Sequence, residues 1–165
     1  VGDSARNGFA GTSSVEDMKK MLDEVAKQRT KEARGEEPKY LGYVPNSPDE
    51  ITEKTPVIQQ EAYEYYRTPR CQHPNSPNKY LFTSIDRLCA FSAFANVETI
   101  SPRPILLIVG SEADTIYFSE AAYNKARQPK ELFKIQGATH IDLYDKPEYV
   151  NPTVEKLAEY FGKYL

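Results

Sequence analysis

Two polar segments carry side chains able to move protons, and each follows an apolar run. Gly110-Ser111-Glu112-Ala113-Asp114 follows Ile105-Leu106-Leu107-Ile108-Val109, and Gly137-Ala138-Thr139-His140 follows the stretch 131–135. A carboxylate held against an imidazole fixes its tautomer and stabilises the imidazolium formed when it takes a proton. Asp114 paired with His140 would make His140 a general base in want of a nucleophile. The bland reading is two ordinary solvated loop residues; their position after consecutive strands favours the catalytic one, because ligands of open parallel sheets bind outside the carboxyl ends of the strands.

No resident side chain is a good nucleophile. Cys71 lies two residues before His73 in Arg70-Cys71-Gln72-His73. Neighbours in a Pro-rich loop seldom hold catalytic geometry, so Cys71 reads as a free, partly exposed thiol. Cys89, among Leu88, Ala90 and Phe91, reads as a small core residue. No His/Cys spacing supports a metal site built from His73, His140 and Asp114, and no cofactor is expected. Ser111, Thr115 and Ser119 are explained by capping or turn duty. The aromatic group Tyr63, Tyr65 and Tyr66 reads first as helix packing and second as a substrate wall.

The elements that must position Asp114 and His140 lie after Ser101-Pro102-Arg103-Pro104. The continuous apolar run 105–109 suits a parallel strand covered on both faces. Ser119 is expected to cap a short helix carrying Ala122, Tyr123 and Ala126, which Pro129 stops. A second strand is expected over 131–135. Asn151 then caps, and Pro152 opens, a closing helix whose Val154, Leu157, Ala158, Phe161 and Leu165 follow helical spacing. Strand, helix, strand, helix implies parallel pairing through a right-handed crossover. Before residue 101 the chain reads as helices and loops. Ser14 and Asp17 resemble a capping box opening a helix over 15–34, with Gly35 at its C-terminal end. Residues 36–49 read as an irregular loop. A second helix is expected from Thr55 (N-cap) and Pro56 (N1) to Thr68-Pro69, and a third over 84–94. The chain thus divides near residue 101 into a helix-and-loop region, 1–100, and a strand–helix–strand–helix region, 101–165.

Composition excludes several classes. The 165 residues allow about one domain, and 39% hydrophobic with 27% charged residues is a globular balance. No apolar run approaches the roughly 20 residues of a spanning helix, so no membrane role is expected. With 21 basic against 24 acidic residues, net charge −3, a nucleic-acid groove is disfavoured. Two Cys exclude a disulfide scaffold and lean towards the cytoplasm. The start Val1-Gly2-Asp3-Ser4-Ala5-Arg6 has no apolar h-region and reads as a chain entered in mid-protein.

The stretch 102–110 through Asp114, followed by Gly137-Ala138-Thr139-His140, resembles the last part of an α/β-hydrolase. The likeness is closest to the dienelactone-hydrolase-like and bacterial peptidase-like members and covers about residues 101–165. In that family the acid follows the penultimate core strand, the His follows the last one, and a closing helix packs on the sheet. The resemblance makes the earlier residues a cap over the active site, and 67–78 has the look of that subfamily. Because the spacing from Gly110 to Asp114 is one residue longer than the commonest family pattern, Glu112 is a rival acid; Asp114 is preferred, where the loop turns towards the next helix.

The family's nucleophile sits in a G-x-S-x-G-type elbow, and neither that motif nor its Cys equivalent occurs here. The nucleophile should precede Asp114 and the cap. The resemblance thus implies the C-terminal half of a hydrolase cleaving a small-molecule ester, thioester or amide, inactive alone, with Ser or Cys in an N-terminal half. Two strands cannot make a stable doubly wound sheet, so that half, or another copy of the chain, is the expected partner. The alternatives are acyl transfer to an acceptor other than water, and a non-catalytic structural or interaction segment.

Overall fold

The structure is a computed structural model that describes residues 13–165. The reading of Val1 to Arg6 lies outside the described residues. The chain divides into two compact units, residues 1–92 and 93–165.

In the first unit, helix α1 (Val15–Ala33) opens on the expected capping box. The Asp17 N–H donates to Ser14 Oγ at 3.1 Å, and the Ser14 N–H donates to the Asp17 carboxylate at 3.1 Å. Its end is a Schellman motif: the Gly35 N–H reaches the Glu32 carbonyl and the Glu36 N–H the Lys31 carbonyl (3.0 and 3.1 Å). Gly35 sits at φ +94°, where a side chain would be strained. The loop expected over 36–49 contains the short strand β1 (Tyr40–Leu41), which pairs antiparallel with β2 (Tyr80–Leu81). Asn78 fastens that loop. Its Oδ1 accepts from the backbone of Tyr43 and Val44 (2.7 and 3.1 Å), and its Nδ2 donates to the Val44 carbonyl at 2.6 Å.

Helix α2 (Val57–Arg67) starts a residue later than expected, with Pro56 in the N-cap place. The Thr55 hydroxyl instead accepts from the Thr52 N–H at 2.9 Å, so it braces the preceding turn. Helix α3 (Ile85–Ala90) is shorter than the expected 84–94 because Phe91 takes extended backbone next to the unit boundary. The core of this unit is Val25, Phe82 and Ile85, with Leu41, Tyr80 and Cys89 packed against it. Arg29 ties α1 to α3 by donating to the Thr83 carbonyl at 2.7 Å and pairing with Asp86 at 2.6 Å.

The second unit begins at Ala93. Strand β3 (Ile105–Gly110) and strand β4 (Lys130–Ile135) pair in parallel, Ile105 opposite Lys130 and Gly110 opposite Ile135. The parallel pairing agrees with the expected strand–helix–strand order. Connecting helix α4 (Ile116–Lys125) starts ahead of Ser119, which lies inside it. The helix begins at Ile116 with Thr115 in the N-cap place, so Ser119 does not cap it.

A short helix α5 (Asp142–Asp145) follows His140, and the closing helix α6 runs Pro147–Tyr164. Pro147 is its first residue, and Pro152 lies inside rather than opening it. Proline lacks the N–H that would pair within the helix, so Pro152 removes one internal bond without ending it. The buried core of this unit is small-residue rich: Ala113, Ala122, Ala126 and Ala138 join Val97, Val109, Ile135 and Ile141. Ile105, Leu106, Leu107 and Ile108 are only half-buried. A strand of this apolar character is suited to cover on both faces.

Candidate active site at the strand ends

Because Gly110 and Ile135 are register partners, the segments that follow β3 and β4 leave the sheet on the same rim. They are laced together there. The Ser111 N–H donates to the Ile135 carbonyl and the Glu112 N–H to the Ala138 carbonyl, both at 2.9 Å. Ser111 Oγ accepts from the Gly137 N–H at 2.8 Å. Gly137 itself takes φ +75°, the left-handed turn that directs the chain back across the end of β3. Gly110 permits the contact: a Cβ on it would lie 2.7 Å from the Thr139 carbonyl oxygen and closer still to that of Ala138.

His140 is thereby carried to the loop that contains Asp114 and Thr115. Its Nδ1 lies 3.0 Å from Thr115 Oγ1, and its Nε2 lies 2.8 Å from the Tyr144 hydroxyl. The Tyr144 ring meets the imidazole edge-on, with centroids 5.4 Å apart. Burial holds the His140 pKa below its ordinary value, and the negative charge of Asp114 opposes that shift. Asp114 therefore acts on His140 as a charge, while the Nδ1 hydrogen bond belongs to Thr115. Glu112, the rival acid, is exposed and accepts from Ser111 Oγ at 3.0 Å.

The loop bearing His140 has a buried anchor that sequence reasoning missed. Asp142 is 5% exposed. Its carboxylate accepts the Thr139 N–H at 3.0 Å and pairs with Lys146 at 2.6 Å, while its own N–H donates to the Thr139 hydroxyl at 3.3 Å. Burial pushes the Asp142 carboxyl up, but Lys146 and the two Thr139 hydrogen bonds outweigh it and leave the pKa below the ordinary value. Thr139-x-x-Asp142 is the same reciprocal spacing as Ser14-x-x-Asp17, and that was the signal available.

The other sequence candidates fall elsewhere. Cys71 is exposed, and His73 turns its Nδ1 to the Asn75 N–H at 3.1 Å. Tyr65 and Tyr66 stack edge-on at 4.8 Å, and the Arg70 guanidinium sits 5.4 Å over Tyr65. Among the described residues, no three His, Cys, Asp or Glu side chains gather to hold a metal ion. No described helix is long and apolar enough to cross a membrane.

The arrangement sets a pH response. A neutral imidazole is the form that accepts a proton, so a reaction using His140 as base rises with pH through a value below 6.5 and levels off by neutrality. Replacing Asp114 by Asn removes the charge that opposes burial and moves that limb to lower pH, which a pH–rate profile of both proteins would show. The linked effect on stability has the opposite origin. The unfolded chain protonates first, so stability is lost as pH falls below about 6.5, down to the folded-state pKa.

The fold places the chain in a class. The structure superimposes on the crystal structure of the α/β hydrolase GrgF from Penicillium sp. sh18 with a TM-score of 0.68, at 18% identity, over 99% of this chain and 60% of that one. The protein has an α/β-hydrolase-like fold. Its sequence is 33% identical over 161 residues to the uncharacterized protein PA2218 of Pseudomonas aeruginosa, covering 96% of this chain and 42% of that protein. The crystal structure of PA2218 matches with a TM-score of 0.86. The uncharacterized protein YcjY of Escherichia coli is 27% identical over 166 residues, 100% of this chain and 53% of that protein. The chain spans about half the length of these curated relatives. No family model matches the sequence.

Proposed function

We propose that these residues form the C-terminal part of an α/β-hydrolase, of the dienelactone-hydrolase-like or bacterial peptidase-like kind, that cleaves an ester, thioester or amide. His140 takes the proton of a nucleophile and returns it to the leaving group. Asp114 stabilises the imidazolium formed between those steps. The single observation that carries this reading is the half-buried imidazole on the strand-end rim, under the charge of Asp114. The segment before residue 101 serves as the cap that bounds the substrate, in a cytoplasmic enzyme.

The nucleophile comes from sequence outside these residues, since no elbow motif occurs in them. The two-stranded parallel sheet supports this. So do the half-buried apolar residues of β3, which more strands and helices would cover.

One observation favours the non-catalytic reading. The Tyr144 hydroxyl stands on Nε2, the nitrogen a nucleophile would use.

A comparison of residues 1–165 alone with the complete protein tests the proposal. The complete protein is expected to hydrolyse p-nitrophenyl acetate. The shorter chain is expected to show no turnover, with self-association or loss of cooperative unfolding in sedimentation and circular dichroism. Equal turnover by a stable monomer of residues 1–165 would overturn it.

A further inference from the structure

Thr115 stands in the N-cap place of α4, where a Thr hydroxyl usually accepts a backbone N–H of the first turn. It makes no such bond. The residue is 8% exposed, and its hydroxyl is instead directed at His140 Nδ1, 3.0 Å away. The Tyr144 hydroxyl engages the other ring nitrogen. A neutral imidazole presents one donor and one acceptor, so its two partners have to play opposite parts. A phenol is the more acidic of the two hydroxyls and the better donor. Tyr144 therefore donates to Nε2, which leaves Nδ1 as the N–H that donates to Thr115 Oγ1.

We infer that Thr115 and Tyr144 together hold His140 in the Nδ1–H tautomer, with Thr115 as the positioning residue. That tautomer keeps the Nε2 lone pair, the one a general base needs. The inference deepens the proposed hydrolase reading and rests on it only for its catalytic consequence. During turnover a nucleophile's hydroxyl or thiol replaces the Tyr144 hydroxyl on Nε2. As its oxygen or sulfur bonds to the substrate's carbonyl carbon, its proton passes to Nε2, the imidazolium keeps its Nδ1–H on Thr115, and the same Nε2 proton goes to the leaving group as that group's bond to the carbon breaks.

The test is long-range nitrogen–proton NMR on the histidines of the complete protein at a pH above the His140 titration, with Thr115→Val and Thr115→Ser beside the parent. The expected result is a protonated Nδ1 and an unprotonated Nε2 in the parent and in Thr115→Ser. Thr115→Val, isosteric but without an acceptor, is expected to shift the population towards Nε2–H. An Nε2–H tautomer in the parent, or an unchanged Nδ1–H population in Thr115→Val, would overturn the inference. Ester hydrolysis by the same variants gives the second readout. Thr115→Val is expected to lower kcat about tenfold with KM little changed, the effect of one lost orienting hydrogen bond, and Thr115→Ser to restore it. If the tautomer responds and kcat does not, the tautomer assignment stands and the general-base reading falls.

Discussion

Replacing His140 by Ala in the complete protein is expected to lower p-nitrophenyl acetate hydrolysis by about 10²–10⁴-fold, the usual contribution of a positioned general base. The loss should fall on kcat, because the role proposed for the imidazole is on the reacting proton rather than on substrate binding. Under the proposed role, the size of the effect follows from where the ring sits. His140 is half-buried, so its pKa lies below the ordinary value and the ring is neutral near pH 7. It sits on the rim where β3 and β4 end, and the adjacent loop supplies a carboxylate charge. No other described histidine stands in such a place: His73 is exposed and bonded to the Asn75 backbone. Undiminished turnover after this substitution would remove His140 from the reaction.

The second large effect is expected at Gly110. A methyl group there has no free space, because the obstacles are the carbonyl groups of Ala138 and Thr139 rather than a flexible side chain. Gly110→Ala must push apart the end of β3 and the loop that bears His140. Overpacking of this kind costs about 1–3 kcal/mol, and backbone obstacles place it at the upper end. The geometry suffers as well as the stability. Displacing a reacting group by about 1 Å can cost around 100-fold in rate. Urea denaturation should show a lower midpoint, and kcat should fall even where the protein is fully folded. A variant as stable and as active as the parent would show that the two loops do not depend on this close approach.

The parts of the molecule legible in the sequence were those with strong periodicity or standard end signals. The apolar run 105–109 and the segment 131–135 became paired parallel strands, and Ser14 with Asp17 opened α1 as read. The rim placement of Asp114 and His140 follows from those strands alone. Other features had no such signal. The antiparallel pair β1–β2 is two residues long on each side, too short to show alternation. Asn151-Pro152 carried a helix-start signal, but α6 starts at Pro147, an earlier N1 proline without a capping side chain before it.

Of the candidate site, the rim positions of Asp114 and His140 could be read from the sequence and the hydroxyl contacts of His140 could not. A Thr ahead of a helix is usually a cap, and only the fold shows that Thr115 faces His140 instead. Tyr144 depends on α5, a helix of four residues that no window of periodicity would find. Asp142 gave no expectation, because its burial depends on Thr139 and Lys146 folding back on it.

The most direct measurement is covalent capture of the nucleophile. The complete protein is treated with a fluorophosphonate, for a serine, or with iodoacetamide, for a cysteine, and the label is mapped by peptide mass spectrometry. A proton relay at the rim of this sheet predicts a labelled residue outside these 165, over and above any alkylation of the exposed Cys71 thiol, with that labelling largely lost in His140→Ala. Labelling confined to Cys71, or proceeding at the parent rate without the His140 imidazole, would contradict it.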